Sequence, residues 1–300
     1  MTMEGNEDYQ QGDQAAPDAV REYSPAKHVL RVFLRNRGAT VGLIILLVLI
    51  CMAVAAPLLA PYDPFEISEN LMEPPSGDHL MGTDPLGRDL MSMIIFGSRI
   101  SLQVGLIAVG IATVVGTVFG LVAGYMEGWV DNVIMRFMDI LLAFPGILLA
   151  LVIIAVLGSG LFNVMIALGI AAIPTYTRLV RGSTLSAKQN EYVMAAQAQG
   201  ANLSRLLFKH ILPNVMAPII VNATLGVAGA ILASAGLSFI GLGPSPPTAE
   251  WGAILAQSRQ YIRRAWWLVT FPGMAITLTV LSINMVGDGL RDALDPQLKE

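Results

Sequence analysis

Charge is scarce in this chain. Of 300 residues, 18 are Lys or Arg and 22 are Asp or Glu, so 13% are charged. A soluble domain carries about 25%, and the deficit excludes an ordinary water-facing surface. Cysteine is nearly missing too: a lone Cys51 rules out an internal disulfide framework, and its apolar surroundings read as those of a small buried hydrophobe. The three histidines, His28, His79 and His210, lie far apart in sequence and suggest no metal cluster. No Gly-x-x-x-x-Gly-Lys-Ser/Thr phosphate loop, His-Glu-x-x-His, Cys-x-x-Cys or Gly-x-Ser-x-Gly occurs. The chain therefore reads as non-catalytic, with no metal and no cofactor of its own. The net charge of −4 says little by itself, and no nucleic-acid partner is expected.

What remains is apolar. Hydrophobic residues make up 54% of the sequence and the mean hydropathy is +0.63, which points to an integral, all-α membrane protein. Six runs are long enough to cross about 30 Å of hydrocarbon: residues 39–59, 102–125, 130–157, 161–178, 215–242 and 266–288. The fourth is short and interrupted by Pro174. Residues 1–27 are polar, lack an apolar h-region and read as a disordered tail. Residues 28–38 mix Val, Leu and Phe with Arg31, Arg35 and Arg37, as an amphipathic helix on a lipid surface would. Residues 39–300 then form one six-span domain. Orientation follows the cations. With the amino terminus inside, Arg88, Arg99, Arg259, Arg263 and Arg264 fall outside and the other 13 of the 18 inside. This places both termini and residues 182–214 in the cytoplasm and residues 60–99 outside. Trp251, Trp266 and Trp267 then read as anchors at the outer interface and Trp129 as one at the inner.

Local patterns add detail. Gly116, Gly120 and Gly124 recur at four-residue spacing and predict a flat helix face for close packing. Arg136 and Asp139 stand three apart and are expected to pair along one helix. Phe144-Pro145-Gly146 predicts a kink in the third span. Outside, Asp84-Pro85 with Gly82 and Gly87 predicts turns, and Leu90–Phe96 an apolar helix along the surface. A second short external helix is expected over Ala253–Tyr261, after a turn near Gly243. The polar stretch Glu191–Asn214, set between two apolar runs, predicts one helix to Gln199 and a break at Gly200. A second helix, N-capped by Asn202, is expected to run to Lys209 and be closed by Pro213.

This stretch resembles the signature loop of the permease subunits of bacterial ATP-binding-cassette importers, which reads Glu-Ala-Ala, three residues, Gly and then Ile-x-Leu-Pro. Ala195, Ala196 and Gly200 match, as do Leu212 and Pro213; Met194 stands in place of the Glu, and Ile211 directly precedes Leu212. Glu191, three residues earlier, is similar to the acidic residue of the peptide-importer version. Two further segments resemble the dipeptide, oligopeptide and nickel branch: Gly82-Thr83-Asp84 with Gly87-Arg88-Asp89, and Pro246-Pro247-Thr248 with Glu250-Trp251-Gly252. The ending Gly287–Glu300 also resembles that branch, and the likeness extends from about Arg31 to the carboxyl terminus.

The resemblance implies a type I importer permease fold of six transmembrane helices, like the C-type permease of dipeptide and oligopeptide importers, in a bacterial or archaeal cytoplasmic membrane. It implies a cytoplasmic coupling helix involving Glu191, Tyr192, Ala195, Ala196, Gln199, Gly200, Ala201 and Pro213, docked on an ATPase subunit. It implies docking of an extracytoplasmic substrate-binding protein near Asp84, Arg88, Asp89, Glu250 and Trp251. The implied partners are a homologous second permease and two ATPase subunits that hold ATP and Mg. Glutathione, a nickel chelate or an oligosaccharide are alternative cargoes to a di- or oligopeptide. A self-sufficient secondary transporter is the competing class, but the mid-span polar residues Asn222, Thr224 and Asn284 are uncharged and no repeat is evident.

Overall fold

The computed structural model describes residues 25–244 and 247–295, and within these it is helical apart from turns and one isolated bridge. The expectations for residues 1–24, Pro246 and residues 296–300 lie outside the described residues. Helix α1 (Pro25–Arg35) begins slightly before the expected amphipathic segment, and Phe33 on it is buried against Ala39, Val286 and Ala293. Helix α2 (Arg37–Val54) starts at Asn36, whose Oδ1 accepts from the Ala39 N–H at 3.1 Å and whose Nδ2 donates to Asp292 at 3.1 Å. Cys51 is exposed on α2, contrary to the buried reading, because it lies on the outer face with Ile44, Leu47 and Val48. A short α3 (Ala56–Leu59) leads into the long loop.

Helix α4 (Leu90–Met126) takes in the segment expected to lie along the surface. Asp89 caps it, accepting from the Ser92 N–H at 2.8 Å, and the apolar residues after it, Leu90, Met93, Ile94 and Ile95, are buried. The surface helix is thus the first turns of a 37-residue span. The third apolar run is broken rather than kinked: α5 (Gly128–Leu142) and α6 (Gly146–Leu157) meet at 88°. Proline at 145 supplies no N–H for α5 and disfavours helical geometry at Phe144, so the helix stops there. Helix α7 (Leu161–Lys188) instead continues through Pro174 and runs well past the expected end at Arg178.

Five helices are long and apolar enough to cross a membrane among the described residues, and six spans result if the bent pair counts as one. The glycine face of α4 is used within the chain. A Cβ added at Gly120 would come within 2.6 Å of Val180 Cβ and 2.7 Å of Thr177 O, and Gly116 and Gly124 meet α7 as closely. Acidic residues of the α5 end also serve α7. Arg181 forms a forked pair with Asp131 (2.5 Å), Arg178 binds Asp139 at 2.6 Å, and Lys188 binds Glu127 at 2.8 Å. The expected Arg136–Asp139 pair is replaced, since antiparallel α5 and α7 bring Arg178 opposite Asp139.

Helices α8 (Glu191–Ala198) and α9 (Leu203–Arg205) follow α7 and lead into α10 (Leu212–Phe239). Beyond the turn at Gly241 come α11 (Trp251–Ser258) and α12 (Trp267–Leu294). The bundle has two distinct ends. Asn36–Asp292 and Lys188–Tyr125 contacts gather the starts of α2 and the ends of α4, α7 and α12 beside α8. Trp267 Nε1 donating to Thr83 O (3.2 Å) and Trp251 Nε1 donating to Ile94 O (3.0 Å) gather the long loop, α11 and the starts of α4 and α12 at the other.

Candidate functional site

The α8 end carries the first candidate surface. Glu191 lies in the first turn of α8, where a carboxylate suits the helix dipole. The helix ends as its sequence predicts. Gly200 takes φ +77, its N–H donates to Gln197 O at 3.0 Å, and the Ala201 N–H donates to Ala196 O at 3.1 Å. This paired closure satisfies two carbonyls at the helix end and requires a residue tolerant of positive φ. Asn202 then caps α9, accepting from the Arg205 N–H at 2.9 Å.

The second half departs from expectation. Leu206–Ile211 form a π-helical turn, with the Leu212 N–H donating to Leu207 O, and the chain passes directly into α10. Pro213 therefore does not close a helix; it sits in the first turn of α10, where a missing N–H is tolerated. The wide turn leaves a carbonyl for the Asn214 side chain, whose Nδ2 donates to His210 O at 2.7 Å. Helix α9 thereby runs into a spanning helix with no loop between, and the turn at Gly200 separates it from α8.

The faces of this element separate cleanly. Val193, Leu206, Leu207 and Ile211 are buried with Val180, Leu121 and Val215, and Ala196 and Ala201 pack half-buried against them. Ala196 thus serves the chain's own core, whereas Glu191, Tyr192, Ala195, Gln199, Gly200 and Pro213 are exposed. Exposed apolar side chains on the same segment are Met194 (52% exposed), Leu203 (42%), Phe208 (54%) and Tyr192 (40%). Of those four, the sequence reading singled out Tyr192 alone. The others were readable as the residues out of phase with Val193, Leu206 and Leu207.

The opposite end is a platform built on buried charge. Asp84 Oδ2 accepts from Arg88 Nε at 2.7 Å, and Arg88 Nη2 donates to Gln257 Oε1 at 3.1 Å. His79 Nδ1 lies 3.0 Å from Asp89 Oδ1, while Asp89 also holds the start of α4. Glu250 caps α11, its Oε2 accepting from the Ala253 N–H at 2.8 Å. Asp84, Arg88, Asp89 and Glu250 are each at most 4% exposed, and Trp251 is fully buried. Their side chains thus shape the platform from within and do not form its contact surface. Their polarity predicted exposure; mutual pairing is what permits burial. Trp251 and Trp267 are likewise core residues, while Trp266 and Trp129 are exposed, as interfacial anchors would be. Burial pushes the Glu250 carboxyl above its ordinary value of 4.5, opposed in part by hydrogen bonds that include the Ala253 N–H.

Comparison with known proteins agrees with this arrangement. Residues 116–300 match the family described as binding-protein-dependent transport system inner membrane component. Residues 24–75 match the N-terminal TM domain of oligopeptide transport permease C. The chain is 49% identical over 283 residues to the di/tripeptide transport system permease protein DppC of Pseudomonas aeruginosa, covering 92% of this chain and 93% of that protein. It is 49% identical over 283 residues to the dipeptide transport system permease protein DppC of Alkalihalophilus pseudofirmus, covering 94% and 93%. It is 48% identical over 284 residues to the dipeptide transport system permease protein DppC of Escherichia coli, covering 92% and 95%. A multi-span helical bundle without a phosphate loop, ending in a polar helical turn, is what such a component requires, and the chain belongs to the family of inner-membrane permease subunits of binding-protein-dependent ATP-binding-cassette importers.

Proposed function

We propose that this chain is the permease of a di- or oligopeptide importer and forms one half of its passage, a homologous second permease forming the other. Two cytoplasmic ATPase subunits hold ATP and Mg and drive transport through α8, and an extracytoplasmic binding protein delivers cargo to the platform. Both termini lie in the cytoplasm in this reading. The peptide cargo is supported by the names of relatives 48 to 49% identical along nearly their whole length.

The observation that supports the coupling role is the set of exposed apolar side chains on α8 and α9, with α9 continuous with α10 through the π-turn. A lever that bent freely would absorb the ATPase motion instead of passing it on. The test compares two alanines on one helix. Ala195→Glu keeps a good helix former, so the free permease loses only a few tenths of a kcal/mol, about 0.4. At a protein contact the new carboxylate is desolvated without a partner, at about 3 kcal/mol or more. The ATPase subunits should then dissociate from Ala195→Glu on purification, while the permease pair is recovered in normal yield. Ala196→Glu should instead lower the yield of the permease itself, because Ala196 packs on the buried cluster that contains Val193 and Leu207. Full retention of the ATPases by Ala195→Glu would remove α8 from the contact.

A further inference from the structure

Helix α1 is held at one edge of the bundle without being enclosed by it. Phe33 is buried against Ala39, Val286 and Ala293, and a Cβ added at Gly289 of α12 would lie 3.0 Å from its ring. Asn36 then takes an extended backbone (φ −77, ψ 106), so α1 does not continue the axis of α2. The Asn36 side chain fixes this corner, capping α2 while donating to Asp292. Helix α2 has 18 residues and so spans about 27 Å, close to a hydrocarbon core of about 30 Å. Its first residue, Arg37, therefore stands at a membrane boundary, and α1 lies beside that boundary.

The free faces of α1 suit that level. Each residue turns a helix by about 100°, which sets Leu30 and Leu34 on one flank of Phe33 and Arg31 and Arg35 nearly opposite it. Leu30 and Leu34 are 57% and 50% exposed, and Arg31, Arg35 and Arg37 are exposed too. A concavity of about 460 Å3 runs between the leucine and arginine stripes. No ion pair among the described residues takes up any of the three guanidinium groups, and α1 contains no acidic residue. We infer that α1 and Arg37 form a binding site for the phosphate headgroup of an anionic phospholipid, with Leu30 and Leu34 set among the acyl chains. At a bilayer boundary one lipid molecule supplies both the phosphate that the arginines lack and the apolar chains that the leucines require. Guanidinium groups suit phosphate because their forked donors meet its oxygens in pairs. Through Phe33 and Asn36 the bound lipid braces the start of α2 and the end of α12. The inference needs only a membrane-embedded chain and is independent of the cargo and of the sidedness.

The test uses the full-length chain, purified as the complex it forms and placed in nanodiscs of phosphatidylcholine with a minor share of phosphatidylglycerol. Native mass spectrometry after transfer to detergent then counts the lipids of each kind that stay bound. The parent should retain phosphatidylglycerol in preference. Replacing Arg31, Arg35 and Arg37 together by Gln keeps good helix formers at exposed positions and should cut that preference at least about tenfold. Lysine at the same three positions should restore most of it, which a loss through misfolding would not allow. The control is Arg259→Gln with Arg263→Gln and Arg264→Gln, three exposed arginines without an ion pair at the other end of the bundle. An equal loss there would assign the preference to net charge and overturn the site. No preference in the parent, or an undiminished one in the α1 variant, would overturn it as well. A photoreactive benzoylphenylalanine in place of Leu34 should cross-link to phospholipid. Cross-linking to another polypeptide, or to residues 1–24 of this chain, would put protein on that face in place of lipid.

Discussion

At the scale of single residues, Glu250 shows how the platform trades solvation for order. The carboxyl caps α11 and is 2% exposed, so burial holds its pKa above 4.5. The folded state therefore keeps a proton that the unfolded chain has already released. Where the native state binds more protons, unfolding free energy falls as pH rises. Stability should decline as pH climbs above 4.5 and level off once the folded-state carboxyl is ionised. Glu250→Gln keeps an oxygen for the Ala253 N–H and removes the titration. Thermal unfolding of the purified complex at about pH 5 and about pH 8 should show a smaller pH difference in the variant than in the parent. An unchanged difference would mean that other groups set it. The residue scale is also where sequence was least legible. Asp84, Arg88 and Asp89 look like surface charges, and nothing local tells that Gln257 will meet Arg88 and His79 will meet Asp89. Ala195 and Ala196 look equivalent until the fold leaves one exposed and packs the other on the buried cluster of Val193 and Leu207.

At the scale of elements, apolar length and glycine spacing told most of what mattered. The four-residue recurrence of Gly116, Gly120 and Gly124 predicted a close helix contact, and α7 fills it. Gly120→Ala should therefore force α4 and α7 apart, since the new Cβ would lie 2.7 Å from a backbone oxygen that cannot move independently. The expected destabilisation is about 1–3 kcal/mol, read as a lower melting temperature of the purified permease pair. Gly110→Ala, which meets nothing within 4 Å, serves as the control and should be neutral or slightly stabilising. Equal effects at the two positions would contradict the packing argument. Prolines misled in both directions. Pro174 and Pro213 read as interruptions, yet α7 continues through the first and α10 begins at the second. Pro145 read as a kink and produces an 88° break. A proline fixes its own φ and deletes one donor; whether a helix survives depends on partners that local sequence does not show. The π-turn was invisible for the same reason.

At the scale of the whole molecule, the alternation of spans was legible from hydropathy, and the two ends of the bundle follow from it. One end presents a rigid helix pair with an apolar face; the other presents a platform held by buried ion pairs. The bundle between them holds a cavity whose lining bears no charged side chain. Sidedness can be checked with single cysteines at Gln199 and Gln260 in a Cys51-free background. Gln260 is exposed, whereas Gln257 accepts from Arg88 and is best left in place. The two should label from opposite faces of the membrane, and labelling from one face would contradict the arrangement. The central claim is that this chain turns ATP hydrolysis by separate subunits into inward movement of cargo brought by a binding protein. Its most direct measurement is uptake of radiolabelled dialanine into proteoliposomes containing this permease with its second permease and ATPases. The binding protein is supplied on one side and ATP on the other. The account predicts uptake that requires both, and that falls with Gly200→Val, since a β-branched residue is strongly disfavoured at φ +77. Uptake that persists without ATP, driven by an ion gradient alone, would contradict it.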